Sequence, residues 1–354
     1  MKKKIIRIKD IAEKAQTSKG TVDRVLHNRG RVAEDVRERI LGIIKELNYE
    51  PNLIAQSLKS QRTFNIAALL PDPNEDSYWE APKLGLEKAE KELRQYGINI
   101  TQFIFTPHDE KSFIARAKEA TNESPDGVLI APVFYKEVLP FFDKWKSMNI
   151  PYVLFNTQIE GVNPLCYIGQ DSYQSGFLAA KILSFGLPEA CTILVAHINE
   201  DIPNSAHLIK KEEGFRDYFD KNGPQNKYKV VSEAIDFSES GTIDDQIAAI
   251  FSREPKLSAV YVTNSKAFEV AQYLEKNALT DIKLVGYDLV TSNLNFLNKE
   301  IIHFLINQNP LGQGYWGIHQ LANHLIFKKE IQPIKFLPLD IITKENLNYY
   351  LDPS

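Results

Sequence analysis

The chain has 354 residues, of which 43% are hydrophobic, and a formal net charge of −4. This length predicts two or three domains, each with enough apolar residues to bury a core. The charge is uneven, because residues 1–62 carry 15 Lys and Arg against 8 Asp and Glu, whereas the remainder carries 27 against 38. A basic head on an acidic body indicates that only the head meets a polyanion such as nucleic acid.

Targeting and cysteine signals are weak throughout the chain. The two cysteines, Cys166 and Cys191, have no paired spacing, so neither a disulfide framework nor a structural zinc site is predicted. The basic start MKKKIIRIKD is not followed by an apolar core, and no later run has the length of a membrane helix. We therefore expect a cytoplasmic protein without a membrane partner, a metal or a cofactor.

The first 50 residues predict three short helices. Apolar residues recur at helical spacing in residues 11–15, in residues 22–26 and again from about Ala33 to Leu47. Ser18 is a suitable N-cap for the second helix. Burial of Val22 and Val25 leaves Lys19, Gly20, Asp23, Arg24 and His27 on the opposite face.

That face of the second helix could enter the major groove of DNA. The Arg24 guanidinium could form a bidentate contact with guanine, and the hydroxyls of Ser18 and Thr21 could hold phosphates. The alternative is a small helical bundle with a solvated basic face.

The order of residues in this region resembles the DNA-binding head of the LacI/GalR (lactose repressor) family. The likeness is carried by D-I-A-x-x-A-x-x-S-x-x-T-V-x-R-V-L from Asp10 to Leu26 and by L-N-Y-x-P-N-x-x-A-x-x-L from Leu47 to Leu58. The resemblance implies a helix-turn-helix domain over residues 1–50 and a hinge segment over residues 51–62. The DNA-binding candidates are Ser18, Lys19, Gly20, Thr21, Arg24, His27, Arg31, Tyr49, Asn52, Ala55 and Leu58.

Two departures from the family pattern affect which operator is read. Gly20 offers no side chain to a base and costs about 1 kcal/mol of helix propensity relative to alanine. Asp23 would be repelled by phosphates, so it either accepts a hydrogen bond from cytosine or pairs with Lys19 one turn earlier. We favour the pairing with Lys19.

The segment from Asn52 to Gln61 is too short and too polar to be a stable helix alone. The resemblance implies that two copies fold together in the minor groove and that Leu58 wedges into the central base step, bending the duplex. A homodimer on a palindromic operator follows from one head per protomer. An inert linker is the alternative.

From Asn65 onward, short apolar runs alternate with helical patterns. This alternation predicts a doubly wound parallel α/β architecture, in which ligands bind at the carboxyl ends of the strands. The predicted strands are Ile66–Leu70, Ile98–Phe105, Gly127–Ala131, Tyr152–Asn156, Thr192–His197, Ala259–Thr263 and Leu284–Tyr287.

This body resembles the type I periplasmic sugar-binding-protein fold that lactose-repressor relatives use as an effector domain. Stretches such as YIGQDSYQSGFLAAKIL, YVTNSKA, VGYD and INQNPLGQG carry the likeness. The resemblance implies two Rossmann-like subdomains, residues 63–164 plus 300–330 and residues 165–299 plus 331–354. The three crossings are expected near 163–167, 290–301 and 330–333.

The resemblance also implies an effector site between the subdomains. By position, Trp79 would stack on a sugar ring, and Asn156, Asn264, Asp288 and Gln308 would bind hydroxyls. Lys211 stands where relatives often carry arginine, and a lysine is a point donor rather than a planar fork. A nucleobase could use the same aromatic and amide groups, and each residue could instead have an ordinary core, turn or capping role.

The motif Gly312-x-Gly314-x-x-Gly317 has the spacing of a dinucleotide-binding fingerprint, with Glu330 further on. Because a crossover strand and a helix start already account for it, an NAD-binding enzyme is a weak alternative. The chain has no nucleophile elbow, zinc-protease motif or Walker loop. An exported solute-binding protein would share the fold of two subdomains around a ligand cleft but should lack the basic head.

The sequence therefore predicts a transcriptional regulator and not an enzyme, and a repressor is the preferred kind of regulator. Its expected partners are a double-stranded DNA operator, a second copy of the chain and a small effector. A sugar or polyol is the first choice of effector, and a purine or nucleotide is the second.

Overall fold

The computed structural model describes residues 7–26, 30–47, 62–188, 190–199, 206–222, 227–236 and 241–351. The chain forms two compact units, Met1–Ser60 and Gln61–Ser354.

The smaller unit is built from three helices, α1 (Ile8–Lys14), α2 (Lys19–Leu26) and α3 (Glu34–Glu46). Each helix contributes its predicted apolar stripe to a single core, in which Ile11, Val22 and Ile40 are fully buried. The Ser18 hydroxyl accepts a hydrogen bond from the Thr21 amide at 3.1 Å, which is the geometry of an N-cap. The local sequence signals of this unit therefore agree with its packing.

The larger unit contains two six-stranded sheets. The first has the order β11-β5-β4-β3-β1-β2, and all of its strands are parallel. Its strands are β1 (Phe64–Pro71), β2 (Ile98–Phe105), β3 (Gly127–Ile130), β4 (Tyr152–Phe155), β5 (Cys166–Gly169) and β11 (Ile334–Phe336).

The second sheet has the order β12-β10-β9-β8-β6-β7 and repeats the topology of the first. Only β12 differs in direction, because it pairs antiparallel with β10. Its strands are β6 (Cys191–Ile198), β7 (Tyr228–Ile235), β8 (Leu257–Val262), β9 (Lys283–Tyr287), β10 (Phe304–Asn307) and β12 (Asp340–Ile342).

Helices cover both sheets, as the parallel pairing requires. Those that pack with the first sheet are α4 (Glu80–Leu93), α5 (Glu110–Asn122), α6 (Tyr135–Ser147) and α12 (Pro310–Leu325). The second sheet has α7 (Ser172–Ser184), α8 (Ala206–Asn222), α9 (Ile243–Arg253), α10 (Ala267–Lys276) and α11 (Thr291–Asn298), and a short helix α13 (Asn348–Leu351) follows β12. Among the described residues, no helix is both long enough and apolar enough to span a membrane.

The chain crosses between the sheets later than the sequence predicted. Strand β5 pairs with β4, so the first crossing follows Gly169 rather than lying near 163–167. Strand β10 pairs with β9 and strand β11 pairs with β5, which moves the second crossing from 290–301 to beyond Asn307 and the third from 330–333 to beyond Phe336. In each case a short apolar strand completes its own sheet before the chain leaves it. We call residues 62–169 plus 310–336 the first subdomain and residues 172–307 plus 340–351 the second subdomain.

Two of the three glycines of the G-x-G-x-x-G motif serve helix packing, and Gly312 donates its backbone amide to the N-capping Asn309 side chain. Strand β10 lies in the second sheet, whereas α12 packs on the first, so strand and helix do not form one dinucleotide-binding unit. A Cβ at Gly314 would lie 2.0 Å from the Pro82 carbonyl oxygen, and one at Gly317 would lie 2.5 Å from the Leu129 side chain. These glycines let α12 approach α4 and β3 closely.

Candidate effector cleft and DNA-reading helix

All six residues predicted for effector binding line one cleft between the two subdomains. The cleft has a volume of about 480 Å³, and Trp79, Asn156, Lys211, Asn264, Asp288 and Gln308 are among its lining residues. Asn156, Asp288 and Gln308 directly follow a strand of one of the two sheets, and Asn264 lies one residue further beyond its strand. The cleft therefore lies where ligands bind in open parallel sheets.

The loops after β4 and β9 occupy equivalent places in the two subdomains. The amide of Asn156 donates to the Ile168 carbonyl at 3.1 Å, and the amide of Asp288 donates to the Ile306 carbonyl at 3.1 Å. Both residues have a left-handed backbone, with φ of 67° and 66°. Asparagine and aspartate tolerate this conformation better than most residues, so the turn and the side chain at each position suit one another.

Asp288 and Gln308 form the buried floor of the cleft on the second sheet. The Gln308 side-chain amide donates to the Asp288 carboxylate at 2.5 Å, and its carbonyl oxygen accepts from the Gln170 amide. Gln170 and Gln308 follow β5 and β10, the strands that precede two of the crossings. A hydrogen bond between these two glutamines therefore connects the two crossings with the buried Asp288 carboxylate.

The Lys211 ammonium is buried and interacts with other groups of the protein. Its Nζ donates to the Thr263 carbonyl at 2.7 Å and lies 3.6 Å from the centre of the Tyr287 ring, and only 1% of the residue is exposed. The close helix crossing that brings it there depends on Gly176, because a Cβ at Gly176 would lie 1.8 Å from the Lys211 carbonyl oxygen. A hydrogen bond and a cation–π contact thus replace the hydration that the ammonium loses on burial.

Burial raises the pKa of Asp288 to about 7, and the nearby Lys211 ammonium and the hydrogen bonds from Gln308 offset only part of that rise. The carboxyl therefore keeps its proton to a higher pH than an exposed aspartate does. A cleft with such a group presents a strong acceptor when ionised and a donor when protonated.

The opposite wall of the cleft is aromatic and amide-rich. The Asn156 amide donates to the Tyr78 hydroxyl at 2.7 Å. Trp79 is 6% exposed and lies edge-on to Tyr78 and to Phe155, with ring centroids 4.9 and 6.1 Å apart. Trp79 is thus held in a fixed orientation at the cleft wall.

Asn264 has a backbone role as well as its place in the cleft. Its side-chain amide donates to the Ile198 carbonyl at 2.8 Å, and its oxygen accepts from the Lys266 amide at 3.1 Å. Asn264 therefore has the hydrogen bonds of a turn residue and also lines the cleft.

Several cleft residues were not predicted from the sequence. They include Asp76, Tyr78, Phe134, Thr157, His207 and Lys266. Tyr78 and Thr157 are direct neighbours of predicted residues, so a wider search around each strand end could have found them. His207 lies at the start of α8, well beyond the end of β6 at Ile198, and so outside the positions that directly follow a strand. In the described part of the chain, no group of three or more His, Cys, Asp or Glu side chains could hold a metal ion.

The DNA-reading face of α2 has the exposure that the sequence predicted. Lys19, Gly20 and Arg24 are exposed, while Val22 and Val25 on the other face are buried. Arg31, after the helix, is exposed as well, and Ser18 and Thr21 stand together at the N-terminus with their hydroxyl oxygens 3.0 Å apart. The candidates His27, Tyr49, Asn52, Ala55 and Leu58 lie outside the described residues, and the pairing of Asp23 with Lys19 stays a prediction.

Two protein-family models match separate parts of the chain. Residues 66–329 match a periplasmic binding protein domain. Residues 7–52 match the bacterial regulatory proteins of the lacI family. The two matches correspond to the two structural units.

Several relatives align with most of the chain. The transcriptional regulator MalR of Streptococcus pneumoniae is 25% identical over 92% of this chain and 99% of its own length. The ribose operon repressor of Bacillus subtilis is 28% identical over 79% of this chain and 81% of its own length. A crystal structure of a candidate LacI transcriptional regulator from Bacteroides fragilis is 30% identical, with a TM-score of 0.77 over 82% of this chain and all of that chain. These relatives are regulators rather than enzymes, and the chain belongs to the lacI family of DNA-binding transcriptional regulators, with a periplasmic-binding-protein domain as its larger unit.

Proposed function

We propose that this regulator binds a neutral sugar or polyol in the cleft between its subdomains and that this effector controls binding of a homodimer to a palindromic operator. The observation that carries the proposal is the convergence of the six residues on one cleft of about 480 Å³. A cleft of this size suits a small ligand.

The chemistry of the cleft favours a ligand with several hydroxyl groups. Amide side chains of Asn156 and Gln308 offer both donors and acceptors, and the edge-held indole of Trp79 offers an apolar surface. Buried hydroxyls need several such partners, because an unpaired polar group is costly to bury. One relative is named a ribose operon repressor, which agrees with a sugar as effector.

The charges disfavour a phosphorylated ligand in the depth of the cleft. Asp288 is a buried carboxyl, and the Lys211 ammonium is already engaged with the Thr263 carbonyl and the Tyr287 ring. A phosphate placed there would add negative charge beside Asp288. An uncharged purine base remains the second candidate, since Trp79 and the amides could also bind a ring of that kind.

A thermal-shift screen tests the proposed effector class. We expect at least one of D-ribose, D-arabinose, D-galactose and myo-inositol to raise the melting temperature, because a ligand held 100-fold above its Kd stabilises the native state by about 2.7 kcal/mol. Adenine and hypoxanthine form the comparison set. Stabilisation by a purine and by none of the polyols would replace the polyol with a nucleobase as effector.

The operator contact of α2 is tested by replacing Arg24 with alanine. We expect specific binding to weaken by about 1–3 kcal/mol, because a bidentate arginine–guanine pair supplies that much discrimination. Fluorescence anisotropy with a duplex selected from random sequence measures the effect. Arg39→Ala is the matched control, since it removes the same charge from an exposed position of α3. Equal losses in both variants would mean that Arg24 contributes charge and no base contact.

The homodimer and the coupling have their own measurements. Sedimentation of the protein with and without operator should give a dimer bound to one palindrome. Because coupling between two sites is reciprocal, operator and effector should change each other's affinity by the same factor. Equal effector affinities with and without operator would eliminate the coupling.

A further inference from the structure

The start of α8 contacts the opposite wall of the cleft. His207 in the second subdomain has its Nδ1 3.4 Å from the Thr157 hydroxyl in the first subdomain. One turn later, the Lys210 ammonium forms an ion pair with the Glu160 carboxylate. Both His207 and Thr157 line the effector cleft. These contacts connect the segment 156–160 with α8 at the rim of the effector site.

The hydrogen bonds that link Tyr78, Asn156 and Thr157 determine which atom can donate to the other between Thr157 and His207. The Asn156 amide nitrogen donates to the Tyr78 hydroxyl at 2.7 Å, so the Asn156 side-chain oxygen is the acceptor of that amide. The Thr157 hydroxyl donates to this oxygen at 3.1 Å and uses its single proton there. The Thr157 oxygen can then only accept from His207, which requires a proton on Nδ1.

Burial and nearby basic groups both disfavour a positive charge on His207. Burial lowers the pKa of His207 to about 3, and Lys211 on the same helix and His197 on β6 act in the same direction. The neighbouring Lys210 is paired with Glu160. The imidazole is therefore neutral in this arrangement. With its proton on Nδ1, it carries its lone pair on Nε2.

We propose that His207 is a specificity-determining residue of the effector site, held as the neutral Nδ1–H form by Tyr78, Asn156 and Thr157 and presenting Nε2 to the cleft as a hydrogen-bond acceptor. The proposal rests on the proposed function of the cleft and deepens it. Thr157 acts as the positioning residue, because it touches the imidazole and sets its tautomer.

This assignment narrows the class of effector. Nε2 of His207 accepts and does not donate, and Asp288, which lines the same cleft, is a second acceptor when its carboxyl is ionised. Both groups require a donor on the ligand. A compound with at least two hydroxyl or N–H donors is therefore favoured over an ether, a ketone or an anion of similar size.

The pH dependence has a defined sign. A histidine exposed to water has a pKa of about 6.5. The pKa of His207 in the folded protein is lowered to about 3, so the neutral imidazole persists well below pH 6.5 and is lost only as the pH falls toward about 3. Protonation keeps the Nδ1–H donor to Thr157 but turns Nε2 from an acceptor into a donor, which disfavours a ligand that donates to Nε2.

Long-range ¹H–¹⁵N NMR of the full-length protein tests the tautomer without any effector. The His207 signals are assigned by their loss in His207→Gln. We expect a protonated Nδ1 and an unprotonated Nε2 that persist below pH 6. Thr157→Val, which keeps the shape and removes the hydroxyl, should shift the ring toward the Nε2–H form, whereas Thr157→Ser should keep the wild-type signals. A wild-type Nε2–H form, or identical spectra for Thr157→Val and wild type, would overturn the proposal.

Diethyl pyrocarbonate, which acylates accessible unprotonated imidazole nitrogens, tests whether Nε2 faces the cleft. Mass spectrometry of the full-length protein at neutral pH should find His207 acylated. An unmodified His207 in a protein whose exposed histidines react would contradict the assignment. Neither measurement uses an effector, so a failed sugar screen would reject the proposed function and leave the His207 result standing.

Discussion

Replacing Asp288 with asparagine should abolish the effector-induced thermal shift while leaving the melting temperature of the free protein unchanged or higher. Burial raises the pKa of Asp288, which means that the folded protein holds the neutral form more tightly than water does. Asparagine is close in shape to the protonated carboxyl and tolerates the φ of 66° at this position. The variant therefore loses the charged acceptor for effector hydroxyls without losing the fold.

The pH dependence of stability provides a second measure of the same variant. The stabilising contribution of a carboxyl whose pKa is raised in the folded state is complete below its unfolded value, near 3.9, and is lost as the pH rises toward about 7. Asp288→Asn should thus gain stability over the wild type as the pH rises through this interval. Asp220→Asn, an exposed aspartate on α8, is the control and should alter neither the thermal shift nor the pH profile. A full effector response in Asp288→Asn would remove this residue from the site.

Replacing Gly176 with alanine should cause the largest loss of stability among single methyl additions in the second subdomain. The new Cβ would lie 1.8 Å from the Lys211 carbonyl oxygen, and both groups belong to helix backbones that cannot rotate away. Relief requires α7 and α8 to separate, and overpacking of this kind costs about 1–3 kcal/mol or more. Lys211 and His207 move with α8, so effector binding should fall as well.

Chemical denaturation followed by far-ultraviolet circular dichroism measures the loss in Gly176→Ala. The matched control is Gly186→Ala at the end of the same helix, where a Cβ would meet only the Lys283 side chain, at 3.7 Å. That variant should unfold near the wild-type midpoint. If both variants unfold together, the close crossing of α7 and α8 does not limit the stability of the subdomain.

The central strands could be predicted because parallel strands buried on both faces leave continuous apolar runs. Strand β11 is three residues long with both end residues exposed, and β7 mixes Lys229, Ser232 and Glu233 with apolar residues at a sheet edge, so neither has that signal. Strand β5 is buried and as long as the predicted strands β3 and β4, so its length does not explain why it was missed. The missed strands β5 and β11 account for the first and third misplaced crossings. A boundary drawn without β5 and β11 assigns both to the wrong subdomain.

The site residues that could be predicted are likewise those that a strand places directly. Asn156, Asn264 and Asp288 could be predicted because each comes directly after a strand or one residue beyond it, and such positions converge at one edge of the sheet. The role of His207 depends on Thr157, which is 50 residues away and in the other subdomain. A single sequence contains no pattern that indicates the contact between His207 and Thr157. Tyr49 and Leu58, outside the described residues, remain predictions of the family resemblance.

The two crossings that precede α12 and β12 have a consequence for synthesis on the ribosome. The core of the first subdomain includes Ile318, Leu321 and Ala322, which belong to α12, although its first strand begins at Phe64. The sheet that is translated first therefore keeps the part of its apolar face that α12 covers exposed until more than 140 further residues have been made after β5. At about 5–20 residues per second this exposure lasts several seconds or longer. The nascent regulator is thus a natural client for chaperones that shield apolar surface during translation, whereas its three-helix head can fold as soon as it emerges.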